Sequence, residues 1–295
     1  MKIIANPRAG HGQGERNLDQ LRSVIRRRGL DCTPVLTERP GHATVIAREL
    51  AAADEPRVAV MGGDGTIGEV VDAIVGSRTE IAVIAMGTGN DVARSLGLPL
   101  GDLEGGLDVA LTGTARAVDV GRERDRHFIS VLGIGFPAVV ATEANHVTWL
   151  KGSPAFFFAV YKALHRLQPV PLHIQLDDRE LELPSVAVLI QNTPYTGGGL
   201  HMAPGAEIDD GLLDVVVVGP ISRLGLMFHF PRAYSGRHLE HPDFALYRSR
   251  SVHIESPVRL PKMFDGDILG ATPVAADIVP GGVRFIVPAV TGNGS

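Results

Sequence analysis

The chain has 295 residues, 44% of them hydrophobic and 21% charged, with a formal net charge of −5. This is an ordinary globular composition, and its negative balance supplies no general field for gathering nucleic-acid phosphates, so no nucleic-acid partner is expected. The single cysteine, Cys32, excludes an intramolecular disulfide and an all-cysteine metal centre, and reads as a small hydrophobe on a strand. Lys2 and three apolar residues before Asn6-Pro7 are too short for a signal peptide. The longest apolar stretch, from Pro154 to Val160, is far below the ~20 residues of a membrane helix. A cytoplasmic protein is expected, with any membrane contact peripheral, at the inner face of the membrane.

In chain order, the first 120 residues alternate apolar runs with helical patterns. Lys2–Ala5 predicts a strand, and Glu15–Arg28 places Leu18, Leu21, Val24 and Ile25 on one helical face. Cys32–Leu36 predicts a strand and His42–Ala53 a helix. Val58–Met61 is a third strand, ending in Gly62-Gly63-Asp64-Gly65-Thr66 before a helical run, Ile67–Val75. Ile81–Ala85 is a fourth strand, followed by Gly87-Thr88-Gly89-Asn90-Asp91 and a helix over Val92–Leu96. Strands separated by helices imply a parallel sheet covered on both faces, with ligands beyond the carboxyl ends of the strands. Three polar, glycine-rich loops fall at that edge: Asn6–Gly14, Gly62–Thr66 and Gly87–Asp91. A strand that stops at glycines and restarts as a helix directs backbone N–H groups and a positive helix end at one point, a geometry that binds phosphate. Asp64 adds a carboxylate suited to a metal or a phosphate-bound water.

After Val120 the pattern is mostly β. His127–Leu132, Leu172–Leu176, Val186–Gln191, Leu213–Val218, Ser251–Glu255, Val274–Ile278 and Val283–Val287 predict strands, with Asp177-Asp178 as a hairpin turn. Helical stretches are expected at Pro154–Leu167 and Ile221–Phe230. The expected organisation is an α/β domain over 1–120, a β-rich antiparallel sandwich-like or barrel-like domain over 121–288 whose last segment packs back on the first, and a frayed tail, 289–295. Sheet edges in the second domain make a homodimer plausible.

Asn6-Pro7-Arg8-Ala9-Gly10, Thr37 with Gly41-His42-Ala43, Gly62–Thr66, and Gly87-Thr88-Gly89-Asn90-Asp91-Val92-Ala93-Arg94 follow one another in a fixed order. Later come Tyr195-Thr196-Gly197-Gly198-Gly199, Ala203-Pro204, Asp209-Asp210-Gly211-Leu212-Leu213-Asp214 and Phe264-Asp265-Gly266-Asp267. This ordered set resembles the diacylglycerol kinase catalytic family, which includes bacterial diacylglycerol kinases and the sphingosine and ceramide kinases. The likeness spans roughly residues 1–288. Gly-Gly-Asp-Gly alone is also similar to NAD kinases and phosphofructokinases.

The resemblance implies a two-domain enzyme that binds ATP between its domains and phosphorylates a lipid hydroxyl at a membrane surface. Gly62, Gly63, Asp64, Gly65, Thr66, Ile67 and Gly68 would form the nucleotide loop, with Thr37 and Thr88 as further contacts. Asn6 would close the pocket, while Asn90 and Asp91 shape its far wall. Thr37 also reads simply as a polar residue before a helix. Asp64 would touch the Mg²⁺ that travels with ATP. Asp265-Gly266-Asp267 matches the family's Asp-Gly-Glu motif, whose glutamate is the general base; here the shorter Asp267 stands in its place, and a base must come within ~2.6–3.2 Å of its proton. Asp-Gly is equally a hairpin-turn signal. Gly68 is a second departure, since the family often carries asparagine there. Glu207, Asp210 and Leu212 would hold a structural Mg²⁺ or Ca²⁺, although Asp-Asp-Gly also reads as a turn entering a strand.

The acceptor is less legible. Trp149-Leu150, Phe156-Phe157-Phe158, Val160, Tyr161 and Leu164, flanked by Lys162, His165 and Arg166, suit either a membrane-surface helix or packing onto the β domain. Arg26-Arg27-Arg28 and Arg232 with Arg237 and His238 read as solvated faces or anionic-lipid contacts. The alternatives to a lipid kinase are an NAD kinase-like enzyme with a soluble acceptor and a non-catalytic lipid- or nucleotide-binding protein.

Overall fold

The computed structural model describes residues 1–146 and 153–289. Trp149-Leu150 and the Thr291–Ser295 tail lie outside the described residues. The chain divides into two compact units, one of Met1–Val118 with the segment from Gly281 onward, the other Asp119–Pro280.

The first unit is built from β1 (Lys2–Ala5), a short α1 (Ala9–Gly12), α2 (Gly14–Arg28), β2 (Thr33–Leu36), α3 (His42–Ala52), β3 (Arg57–Gly62), α4 (Asp64–Ile74), β4 (Glu80–Ala85), α5 (Asp91–Ser95) and α6 (Leu103–Thr112). Its strands run parallel in the order β2-β1-β3-β4. The end of the chain adds one more parallel strand, Arg284 and Phe285 pairing with Glu80 and Ile81. The apolar runs sit at the centre because both sheet faces are covered. Ile3, Ala5, Ala59, Met61, Ala82 and Ile84 pack with Leu18, Leu21 and Val24 of α2 and Leu103, Leu107 and Ala110 of α6. By alternation, Ile4, Val58, Val60, Ile81 and Val83 face the opposite side.

Two departures from the sequence expectation matter here. Helix α4 starts at Asp64 rather than Ile67, because Gly63 is extended (φ −111°, ψ −173°) and acts as the N-cap, so Asp64 opens the first turn. Helix α6, over a stretch for which no element was expected, carries Gly105-Gly106; a Cβ on Gly106 would stand only 3.2 Å from Ile84 Cα, so glycine lets the helix lie close on the sheet.

The second unit starts within β5 (Thr114–Glu123) and continues through β6 (Arg126–Phe128), β7 (Val131–Gly135), α7 (Phe136–His146), α8 (Ser153–Ala163), β8 (Val170–Leu176), β9 (Glu180–Ser185), β10 (Ala187–Gln191), β11 (Leu213–Val218), α9 (Arg223–His229), β12 (Phe244–Ser249), β13 (Ser251–Glu255), β14 (Pro261–Phe264), β15 (Asp267–Ala271) and β16 (Val274–Val287). One antiparallel sheet has the order β12-β11-β10-β7-β14-β15, and another array pairs β16-β13-β8-β9. Their inward side chains, among them Leu132, Ile134, Val188, Ile190, Val215 and Val217 from the first and Leu172, Ile174, Val252 and Ile254 from the second, form one core. This is the expected antiparallel, sandwich-like layer.

The run His127–Leu132 is two strands, not one. Ile129 and Ser130 give their N–H groups to the Asp265 carboxylate rather than to a ladder. Conversely, the two strands expected over Val274–Ile278 and Val283–Val287 are one strand, which runs through Pro280 and Gly281, the latter at φ +57°. Helix α7 is apolar nearly all round in its first two turns, so no helical periodicity marks it.

Candidate functional site

At the carboxyl edge of the parallel sheet, a cavity of about 330 Å³ is lined by residues of the first unit alone. Its walls include Asn6, Thr37, Gly63, Asp64, Gly65, Thr66, Gly87 and Thr88. The three polar loops therefore meet, as the strand order requires. Asn6 leaves β1 and donates from Nδ2 to Thr66 Oγ1 (3.1 Å), while its Oδ1 accepts Arg8 N–H (2.9 Å). Thr37 is buried at the end of β2, its N–H bonded to Ala5 O (3.0 Å).

The glycines serve close approach. The loops after β3 and β4 touch through bare backbone, with Gly87 Cα 3.1 Å from where a Cβ on Gly63 would stand, and a Cβ on Gly87 would overlap Gly63. Asn90 holds its loop in shape from the left-handed region (φ 55°): its Oδ1 accepts Gly87 N–H (2.9 Å) and its Nδ2 donates to Gly87 O (3.0 Å). Asp64 Oδ1 accepts Val92 N–H (3.0 Å) at the start of α5, which fixes the carboxylate between two loops.

Five expected residues do not line the cavity, among them Asp91, which is buried at the start of α5. Gly62 is buried in β3, and its carbonyl accepts Met86 N–H. Ile67 is a core side chain. Gly68 lies in the second turn of α4, and Asn90 acts on Gly87 from behind the wall. Four lining residues escaped the sequence reading, Glu38, Arg39, Pro40 and Glu69, while Arg8 stood in the Asn6-Pro7-Arg8 motif without a role. Glu69 accepts Gly41 N–H (2.9 Å) and Ala43 N–H (3.0 Å), so its carboxylate already fills the N-terminus of α3. No side chain caps α4, whose first turn opens on the cavity. Arg8 had a signal, a cation in the polar Asn6–Gly14 loop; Glu69 had none, because its partners lie in another loop.

In the second unit, Asp265-Gly266 is a two-residue hairpin between β14 and β15, with Phe264 opposite Asp267. Both central residues have positive φ (48° and 101°), the type I′ geometry that Asp-Gly favours. Asp265 takes up three backbone donors: Oδ2 accepts Ile129 N–H (2.9 Å), and Oδ1 accepts Ser130 N–H (2.8 Å) and Val131 N–H (2.9 Å). Its carboxylate thus staples the β6–β7 loop through three N–H groups. Asp267 follows on the exposed side of the hairpin. Ser130 continues the network to Thr193 (Oγ to Oγ1, 2.7 Å) and Tyr195 O (3.2 Å). The Tyr195 loop turns through Gly197, Gly198 and Gly199, all at positive φ, and Tyr195 stacks on His201 (4.6 Å). Ser130 and Thr193 carried no motif signal; single buried hydroxyls look alike in sequence.

The expected structural cation meets a competitor. Asp210 Oδ1 accepts Leu212 N–H (3.0 Å), and its Oδ2 is ion-paired to the Arg248 guanidinium. Arg248 Nε also lies 3.6 Å from Asp214. Gly211 N–H is bonded to the buried Asp119 (2.6 Å). Among the described residues no group of three or more His, Cys, Asp or Glu side chains is arranged to hold a metal. Glu207, Asp210 and Leu212 in this arrangement do not fit a resident cation, because an arginine supplies the positive charge. Burial, then the Glu207 charge, pushes the Asp214 carboxyl up to about 6.

Known proteins agree with both units. Residues 1–122 match the diacylglycerol kinase catalytic domain, and residues 130–287 match the YegS C-terminal NAD kinase beta sandwich-like domain. The diacylglycerol kinase of Mycobacterium tuberculosis (strain H37Rv) is 29% identical over 291 residues, covering 97% of this chain and 94% of its own. That of Staphylococcus haemolyticus is 29% identical over 275 residues, covering 92% and 83%. A crystal structure of a diacylglycerol kinase from Bacillus anthracis str. Sterne superposes with a TM-score of 0.73 at 25% identity, covering 97% of this chain and 96% of that one. The fold and the ordered motifs define a bacterial lipid-kinase class. The chain belongs to the diacylglycerol kinase family.

Proposed function

We propose that the protein is an ATP-dependent lipid kinase that transfers the γ-phosphoryl group to the hydroxyl of a diacylglycerol or a related lipid. The observation that carries this reading is the cavity where the uncapped start of α4, Asn6, Thr37, Thr66 and Thr88 surround a glycine-lined wall. Backbone N–H groups and the helix end orient the polyphosphate there, with Arg8 and Arg39 adding positive charge. Asp64, fixed by Val92 N–H, is a hard-oxygen donor suited to Mg²⁺. Bound with the nucleotide, such an ion would supply charge neutralisation at the transferring group.

The lipid oxygen forms the new bond to phosphorus as the bond to the ADP oxygen breaks, and the hydroxyl proton passes to the Asp267 carboxylate. Asp265 positions rather than reacts. By holding Ile129, Ser130 and Val131 it fixes the hairpin that presents Asp267. Asp267 would replace the longer glutamate of the family motif with the same chemistry and shorter reach.

Incubation with radiolabelled ATP and Mg²⁺ against separate diacylglycerol, ceramide, phosphatidylglycerol and NAD samples tests the reading. Label in a lipid supports it. Label in NAD alone, or ATP binding with no transfer to any acceptor, overturns it.

A further inference from the structure

We propose that α9 and the end of α8 form a face that docks on an anionic lipid bilayer, an inference that rests on the lipid-kinase reading and gives it a membrane-facing surface. The apolar pattern of α9 is inverted. Leu224, Met227 and Phe228 stand at i, i+3 and i+4 on one face, the spacing that normally turns toward a core, yet they are 73%, 48% and 66% exposed. Leu226, on another side of the same helix, is buried in the domain core. Tyr161 of α8 is also exposed, at 65%. Leu224, Met227 and Phe228 share one face of α9, and a contiguous exposed apolar face marks an interaction surface.

The face is held firmly. Ser222 Oγ caps α9 by accepting Gly225 N–H (3.0 Å), and Arg223 donates to His165 O in the turn just after α8 (3.0 Å). Phe157 packs on the rings of Phe230 (5.5 Å) and Tyr234 (6.0 Å). Arg232 lies over the Phe228 ring at 5.2 Å.

Charge selects the occupant. Residues 153–170 contain Lys162, His165 and Arg166 and no acidic residue, and residues 221–238 contain Arg223, Arg232 and Arg237 and no acidic residue, in a chain whose net charge is −5. Lys162 is ion-paired to Glu143 (2.8 Å) and Arg237 to Glu240 (3.0 Å), which leaves Arg223 at the start of α9 and Arg232 over the Phe228 ring as the cations that suit anionic headgroups above acyl chains. Their charge disfavours a second copy of the same face, where arginine would meet arginine.

Co-sedimentation of the full chain with vesicles of equal parts phosphatidylcholine and phosphatidylglycerol tests this, against pure phosphatidylcholine vesicles. Wild type should bind the mixed vesicles and release in high salt. The Leu224→Glu/Phe228→Glu variant should bind at least about tenfold less, and Arg223→Gln/Arg232→Gln should lose about fivefold or more, with its preference for phosphatidylglycerol reduced. Both variants should phosphorylate dispersed short-chain diacylglycerol at the wild-type rate. Unchanged vesicle binding by both variants overturns the proposal, as does the loss, in the glutamate variant, of a wild-type self-association seen without vesicles. If wild type labels no lipid while patch-dependent vesicle binding persists, the kinase reading fails and the docking face stands.

Discussion

Asp64-Gly65 in the first unit and Asp265-Gly266 in the second are the same dipeptide, put to different uses by the backbone around them. Asp64 opens a helix at the carboxyl edge of a parallel sheet, beside loops whose glycines allow backbone contact, and it lines a cavity. Asp265 sits at positive φ in a hairpin and turns its carboxylate inward to three N–H groups. Asp210-Gly211 is a third version, in which an arginine takes the carboxylate. An aspartate before a glycine thus marks a turn that fixes a carboxylate, and only its surroundings decide whether that carboxylate faces a cavity, the backbone or an ion pair.

The comparison can be broken at each carboxylate, starting with the largest effect. Asp64→Ala should lower turnover by about 10²–10³-fold, with a thermal midpoint only a few degrees below wild type, since one backbone hydrogen bond is lost. Unfolding as severe as a core truncation would place Asp64 with Asp265 instead. Asp265→Ala strands three backbone donors and should cost about 2–4 kcal/mol in chemical denaturation; a stable variant with abolished turnover would reverse the assignment. Arg248→Ala should cost about 1 kcal/mol or less and make the variant's thermal midpoint rise with added Mg²⁺ or Ca²⁺. A comparable rise in wild type would mean that a cation, not the guanidinium, holds the Asp210 turn.

The smallest effect is a pH dependence confined to the second unit. His238 is fully buried, its Nε2 is 3.1 Å from Met202 O, and its Nδ1 has no partner. Burial therefore holds its pKa below the ordinary histidine value of 6.5. The unfolded chain protonates first as pH falls through about 6.5. Stability from neutral His238 is thus fully present above that value and is lost progressively below it. The stability gap between wild type and His238→Gln, followed by denaturation across this range, should narrow as pH falls; a constant gap would remove His238 from the account.

The sequence carried the first unit well, because buried parallel strands read as uninterrupted apolar runs and the loops between them were polar. Gly105-Gly106 hid α6, since glycine used for close packing looks like glycine used for a turn. In the second unit, long-range bonds overrode local pattern: Asp265 split one apolar run into two strands from 134 to 136 residues away. The same limit applied to the sites. Motif residues were readable where one loop contains them, as in Gly62–Thr66. Glu69, Ser130, Thr193 and Arg248 act through partners distant in sequence, and nothing local identifies them. For the inverted face of α9, the helical run was visible but its orientation depended on which side Leu226 buried.

The most direct test follows phosphoryl transfer from radiolabelled ATP to diacylglycerol in Asp267→Asn and Asp265→Asn, with thermal midpoints measured alongside. Asp267→Asn should lose at least about 10²-fold in kcat with an unchanged midpoint, while Asp265→Asn should lower the midpoint. Transfer at the wild-type rate by Asp267→Asn would contradict the assignment of the acceptor's proton to Asp267.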